Sequence, residues 1–215
     1  MTDRPGVVVI GAGGHGRVMV DVVRCQGKAE VVGFLDDAAD LQGTISPIGV
    51  PIIGRTGPED IAGCGAVAFV VAIGSNRIRA MLFDRCLSAG LTPWPAVHPS
   101  AVIAESATLG GGTQVVAQAV VNPGARVGRN VILNTACTVD HDCIVADHAF
   151  LAPGVNLGGE VTVGESAFVG IGASVLPGIT IGAGATVGGG AVVISDVPPG
   201  ATVVGVPAKT IKFRE

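Results

Sequence analysis

Tyrosine is absent from the 215-residue chain, and the aromatic complement is one tryptophan and six phenylalanines. A core built on large rings is thereby excluded. The 48% of apolar residues is carried mostly by Val, Ala and Ile, side chains suited to thin, repeated layers. Charge is scarce too, at 14% against ~25% in an average domain. The net charge is −4 and the 13 basic residues are scattered, so no basic stripe offers itself to a nucleic acid. No apolar run approaches the ~20 residues of a membrane-spanning helix. The five cysteines are odd in number and lack metal-type pairing, which predicts reduced thiols, a cytoplasmic setting and no metal site. No basic segment leads into an apolar one at the N-terminus, so no signal peptide is expected.

Glycine is plentiful, at 34 residues, and much of it falls into a repeat. From Val97 to Val193 every sixth residue is aliphatic, without a break in register. Four places after each stands a small or β-branched residue, from Ala101 to Val197. The place directly after the aliphatic is often glycine, as in Gly110, Gly128, Gly164 and Gly182, which reads as a turn requirement. Neither an α-helix nor an alternating strand has a period of six. A triangular prism does, with six residues to a face and eighteen to a coil. Residues 97–198 provide slightly fewer than six such coils, with Pro123, Pro153 and Pro177 at corners. Pro198-Pro199-Gly200 then closes the repeat, leaving residues 199–215 as a cap.

Residues 1–96 read differently. Val7–Ile10 is a buried strand, followed by the glycine turn GAGGHG at 11–16 and a helical pattern through Val18, Met19, Val22 and Val23. A second strand, Val31–Leu35, ends at Asp36 and Asp37. A third, Ala66–Ile73, meets Gly74-Ser75-Asn76 and a helix over 76–89. A βαβ unit with a glycine turn and an acidic residue about 20 positions on is a nucleotide-binding pattern, and by itself it suggests NAD. The unit is only about half of a full dinucleotide fold, and His15 sits inside the turn.

Of four histidines, His98 reads as a surface residue and His148 as a corner residue at the surface. His141 takes the third place of its hexad, between Asp140 and Asp142, so its ring is expected to point outward. One coil on lies Gly159, which leaves room beside the ring and a backbone N–H aimed outward. Acyl transfer from a thioester to an amine needs a base and a donor for the oxyanion. His141, with Asp142 fixing its tautomer, suits the first role. Cys137 and Cys143 fall on the small inward place and are expected to be buried and inert. Cys25, Cys64 and Cys86 read as helix or core residues.

The six-residue period resembles that of the hexapeptide-repeat acyltransferases, which implies a left-handed parallel β-helix. The order of GAGGHG, a strand ending in Asp-Asp and then hexapeptides resembles the bacterial acetyltransferases of nucleotide-linked amino sugars. That resemblance implies a Rossmann-like domain joined to the β-helix, and a homotrimer with coenzyme A lying between subunits. It implies acetyl-CoA-dependent N-acetylation of the 4-amino group of a GDP- or UDP-linked 4-amino-4,6-dideoxysugar. Gly11, Gly13, Gly14 and His15 would then meet the phosphates, and Asp36 or Asp37 the base or ribose. His141 and Asp142 would be the catalytic pair, with the Gly159 N–H on the thioester carbonyl. Asn134 would lie near the sugar, and Gly170, Gly188, Gly189 and Lys209 along the coenzyme. Some relatives carry a second histidine nine positions after the base, where this chain has Phe150; His148, two residues away, is either a surface residue or a partial substitute for it. A sugar O-acetyltransferase of the sialic-acid type, and a regulatory β-helix protein that binds NAD, remain as alternatives.

Overall fold

Val7, Val8, Val9 and Ile10 have no solvent exposure, because they form the central strand β1 (Gly6–Ile10) of a parallel sheet. β1 pairs on one side with β2 (Glu30–Leu35) and on the other with β4 (Ala68–Val71). Two short strands complete the sheet: β3 (Ile52–Gly54) and β5 (Thr92–Pro93), in the order β3-β2-β1-β4-β5. Neither was legible as a strand, since runs of two or three residues carry no periodicity. Helix α1 (Gly14–Gln26) buries Met19, Val20, Val22 and Val23. Helix α3 (Asn76–Ser88) is capped by Ser75, whose Oγ accepts the Ile78 N–H at 3.5 Å. Its Phe83 meets Phe69 of β4 edge to face, with ring centroids 5.3 Å apart. Between β3 and β4 lies the short helix α2 (Pro58–Gly63).

This computed structural model describes residues 4–213, and the chain divides into two compact units, Met1–Pro99 and Ser100–Glu215. The second unit is a left-handed parallel β-helix of two-residue rungs. Rungs stack at a register of eighteen: Val120 pairs with Val102 below and Thr138 above, and Phe150 with Ile132 and Phe168. The inward aliphatics from Val115 to Val193 are all buried, as are nearly all the small residues four places on. Burying one such Val, Leu or Ile is worth about 1.5–3 kcal/mol, repeated rung after rung.

The corners differ from the sequence reading in one respect. From Gly112 to Gly190 the fourth residue of each hexad, not the second, takes the left-handed conformation: Asn130, Asp142, His148 and Ser166, for example, have φ between 53° and 60°. Its strain, about 1–2 kcal/mol for a non-glycine residue, is offset by a bond to the adjoining coil. The Asp142 N–H donates to Pro123 O at 3.1 Å, and the His148 N–H to Arg129 O at 2.9 Å. The glycines directly after the aliphatics have another cause. A Cβ on Gly164 would come within 2.5 Å of the Ala183 nitrogen in the next coil. Close approach of stacked backbones selects glycine there, not turn geometry.

The third place of the hexad is where Pro123, Pro153 and Pro177 stand. Non-proline residues at that place turn their N–H away from the ladder. Those of Arg129, Thr135 and His141 donate to the side chains of Asp147, Asn134 and Asp140. Proline therefore costs no ladder bond.

After Pro198-Pro199-Gly200 the ladder continues for one more rung. Thr202 and Val203 pair in parallel with Thr186 and Val187, a step of sixteen residues. The strand Lys209–Phe213 then runs back antiparallel along Ala201–Val204.

Candidate functional site

Pro123, His141, Gly159 and Pro177 form one column of a prism corner, eighteen residues apart. The His141 side chain is 55% exposed, and its ring lies over Gly159. A Cβ at Gly159 would stand 2.5 Å from both Cε1 and Nε2, so only glycine leaves space for the imidazole. Asp142 Oδ2 is 3.0 Å from His141 Nδ1. The geometry assigns the proton to Nδ1, which donates to the carboxylate and leaves the Nε2 lone pair above Gly159. That hydrogen bond, assisted by the charges of Asp140, Asp142 and Glu160, raises the histidine above its ordinary range.

Asp140 has a separate task. Its Oδ1 accepts the His141 N–H at 2.7 Å and Asn122 Nδ2 at 2.7 Å, and these two bonds hold its pKa below the usual carboxylate value. Asn122 stands one coil before Asp140, so the backbone at His141 is braced from the adjoining coil. The sequence reading placed the ring's partner at Asp142 but missed this brace. A cavity of about 330 Å³ opens beside the ring, lined by Asp140, His141, Gly158, Gly159, Glu160, Pro177 and Gly178. Among the described residues the Gly159 N–H meets no backbone carbonyl. The neighbouring ladder bonds run from Glu160 N–H to His141 O and from Gly178 N–H to Gly159 O, each 2.9 Å.

The glycine turn of the first unit divides into two pairs. Gly11 has φ 101°, and Gly16 packs so closely on Gly11 O that a Cβ has no room. The fold itself requires both. Around Gly13 and Gly14 a Cβ would meet nothing within 4 Å, so packing does not explain them. They stand at the start of α1, where N–H groups and the helix dipole favour an anion. His15, next in the helix, is half-buried. Asp36 is drawn into the turn: Oδ2 accepts the Ala12 N–H at 2.8 Å and Oδ1 the Ala38 N–H at 2.9 Å. Asp37 accepts the Thr56 N–H at 2.8 Å and the Thr56 hydroxyl at 2.7 Å, which lowers its pKa. Both carboxylates thus tie down loops of the first unit.

Asn134 lies at a different corner from His141. Its Oδ1 accepts the Thr135 N–H at 2.8 Å. Steps of eighteen from Asn134 reach Ala152, Gly170 and Gly188, with Gly189 beside the last. Within one chain these residues are separated from His141 by a face of the prism. Lys209 is exposed on the last strand, beside a recess of about 140 Å³ shared with Ser195 and Asp196.

His148 is a correction. It is 8% exposed and not a surface residue, and Asn130 Nδ2 donates to its Nδ1 at 2.9 Å. His148 holds the same left-handed place as Asp142 one hexad earlier, which is exposed; His148 is buried against Asn130, its partner in the preceding coil. Phe150 instead meets Phe168 edge to face, with centroids 5.2 Å apart. Cys137 and Cys143 are buried, and burial pushes the Cys137 thiol up to about 12. Cys86 is buried on α3 and Cys25 is exposed on α1, so both lie on helices as expected.

Residues 6–86 match the PglD N-terminal domain. The chain is 36% identical over 118 residues to UDP-N-acetylbacillosamine N-acetyltransferase of Bacillus subtilis, a match covering 52% of this chain and 51% of that enzyme. Among solved structures, the acetyltransferase domain of PglB from Neisseria gonorrhoeae, in complex with acetyl coenzyme A, superposes with a TM-score of 0.88. It is 38% identical, over 97% of this chain and 100% of that one. GDP-perosamine N-acetyltransferase from Caulobacter crescentus, solved as a histidine-to-alanine variant with CoA and GDP-perosamine, superposes with a TM-score of 0.90. It is 39% identical, over 96% of this chain and 97% of that one. On the strength of these full-length likenesses and the hexapeptide β-helix, the chain belongs to the hexapeptide-repeat nucleotide-sugar N-acetyltransferases.

Proposed function

We propose that the protein transfers the acetyl group of acetyl-CoA to the 4-amino group of a GDP- or UDP-linked 4-amino-4,6-dideoxysugar. The observation that carries this reading is the His141 imidazole, oriented by Asp142 and lying over Gly159 at the edge of an open cavity. The amine nitrogen attacks the thioester carbonyl while His141 Nε2 takes its proton. The Gly159 N–H donates to the oxyanion as it develops. Collapse breaks the C–S bond, and the imidazolium returns the proton to the leaving thiolate, giving the amide and free coenzyme A. Asp142 stabilises the imidazolium between these steps. Carboxylates of Asp140, Asp142 and Glu160 around the ring favour the approach of a basic amine over that of an anion, and the amine attacks in its neutral form.

Gly13 and Gly14 at the start of α1 hold the diphosphate in this reading, with His15 beside it, and Asp36 and Asp37 shape the ribose and base pocket. Asn134, Gly170, Gly188 and Gly189 share a corner that His141 does not, so a second chain must bring that corner to the histidine. A homotrimer with coenzyme A along the groove between subunits meets this need, with Lys209 near its phosphates. Unpaired cysteines among the described residues support a reducing, cytoplasmic setting. The test is release of CoA thiol with a panel of GDP- and UDP-linked 4-amino sugars, free amino sugars and hydroxyl acceptors. Turnover confined to nucleotide-linked amines is the expected outcome. Equal turnover of free sugars or of hydroxyl acceptors contradicts it.

A further inference from the structure

The first unit holds a second chemically distinctive cluster, made of Asp21, Cys25 and His98. Asp21 and Cys25 are four residues apart on α1, so they project from one face of the helix. His98 comes from the segment that follows β5, far away in sequence. Gln26, adjacent to Cys25, fixes that segment: its Nε2 donates to Pro95 O at 3.2 Å, and its Oε1 accepts Trp94 Nε1 at 2.9 Å. The amide holds residues 94 and 95 against the helix end from both of its polar atoms, three residues before His98. As a result a carboxylate oxygen of Asp21, the sulfur of Cys25 and a ring nitrogen of His98 all lie within 4.8 Å of one another. Asp21 and Cys25 are exposed and His98 is half-buried, so solvent reaches the cluster.

We propose that, contrary to the expectation from cysteine spacing, Asp21, Cys25 and His98 form a binding site for a divalent transition-metal cation, with Zn²⁺ the ion that the donors fit best. A thiolate and an imidazole select a borderline cation over the hard, oxygen-seeking Mg²⁺ and Ca²⁺. Three protein donors and one water complete a tetrahedron. With metal–ligand bonds of about 2.0–2.3 Å, tetrahedral donors stand roughly 3.3–3.8 Å apart. Rotation of the exposed Asp21 and Cys25 side chains closes the remaining gap of about 1 Å. Binding takes the proton from the Cys25 thiol, so each cation that enters releases one proton to solvent. The ion joins the last turns of α1, the helix that begins at the glycine turn, to the segment ending the first unit. The site is separate from the His141 column and uses none of its residues.

Co²⁺ titrated into the metal-free full chain reads the site directly. One Co²⁺ per chain is expected, with visible bands of a tetrahedral ion and a near-ultraviolet thiolate-to-cobalt band, all lost on adding Zn²⁺. Cys25→Ser should remove the near-ultraviolet band, and His98→Ala should weaken Co²⁺ binding by at least about tenfold. His141→Ala should leave both unchanged. Zn²⁺ should also raise the melting temperature of the parent chain and not that of Cys25→Ser. Absence of one-to-one binding, a thiolate band that survives Cys25→Ser, or one removed instead by Cys64→Ser would overturn the assignment.

Discussion

At the residue scale, the site turns on which aspartate does what. Asp142 meets the ring and Asp140 the backbone, although both flank His141 symmetrically in sequence. The difference arises because Asp142 adopts φ 57°, a conformation that the hexad imposes and that no local pattern announces. His141 itself was legible, since a third-place residue must point outward, and so was the space at Gly159. Two outcomes follow from the pair. Because the Asp142 hydrogen bond raises the histidine, kcat/KM should climb with pH through a midpoint above ~6.5, as His141 loses its proton to become a base. Asp142→Asn weakens that bond and should move the midpoint downward, with a lower plateau, in a pH–rate profile. Asp140→Ala removes the acceptor for the His141 N–H. It should lower kcat about tenfold or more while KM for acetyl-CoA holds, whereas Asp140→Asn retains most activity in the same steady-state assay.

At the element scale, the six-residue period carried nearly the whole β-helix, because one aliphatic and one small residue per face together fill the triangular prism. The reason for its glycines was less visible. Two glycine columns exist, and only coordinates distinguish backbone crowding from left-handed φ. Gly164→Ala should cost about 1–3 kcal/mol, since its Cβ meets the backbone of the next coil. Gly184→Ala, with φ 64° and open space around it, should cost only about 1 kcal/mol. Urea unfolding of the two variants checks the order, and equal midpoints would refute the crowding argument. The sixteen-residue step before Ala201 and the short strands β3 and β5 lay below the resolution of any repeat. In the first unit the second strand was legible from its apolar run, while the tying of Asp36 to the Ala12 N–H was not, because partners 24 residues apart leave no spacing signal.

At the scale of the whole molecule, each unit was legible as a class, and so was the outward position of one imidazole on an edge of the prism. What spacing alone did not separate was the distribution of residues between corners. His141 stands on one edge of the prism and Asn134, Gly170 and Gly188 on another; in the reading proposed above, a homotrimer would bring the two edges together. The most direct measurement is steady-state turnover of His141→Ala with acetyl-CoA and a nucleotide-linked 4-amino sugar, alongside calorimetric binding of coenzyme A. The account predicts a fall in kcat of about 10²–10⁴-fold with coenzyme A affinity retained. Parent-like turnover by that variant would contradict it.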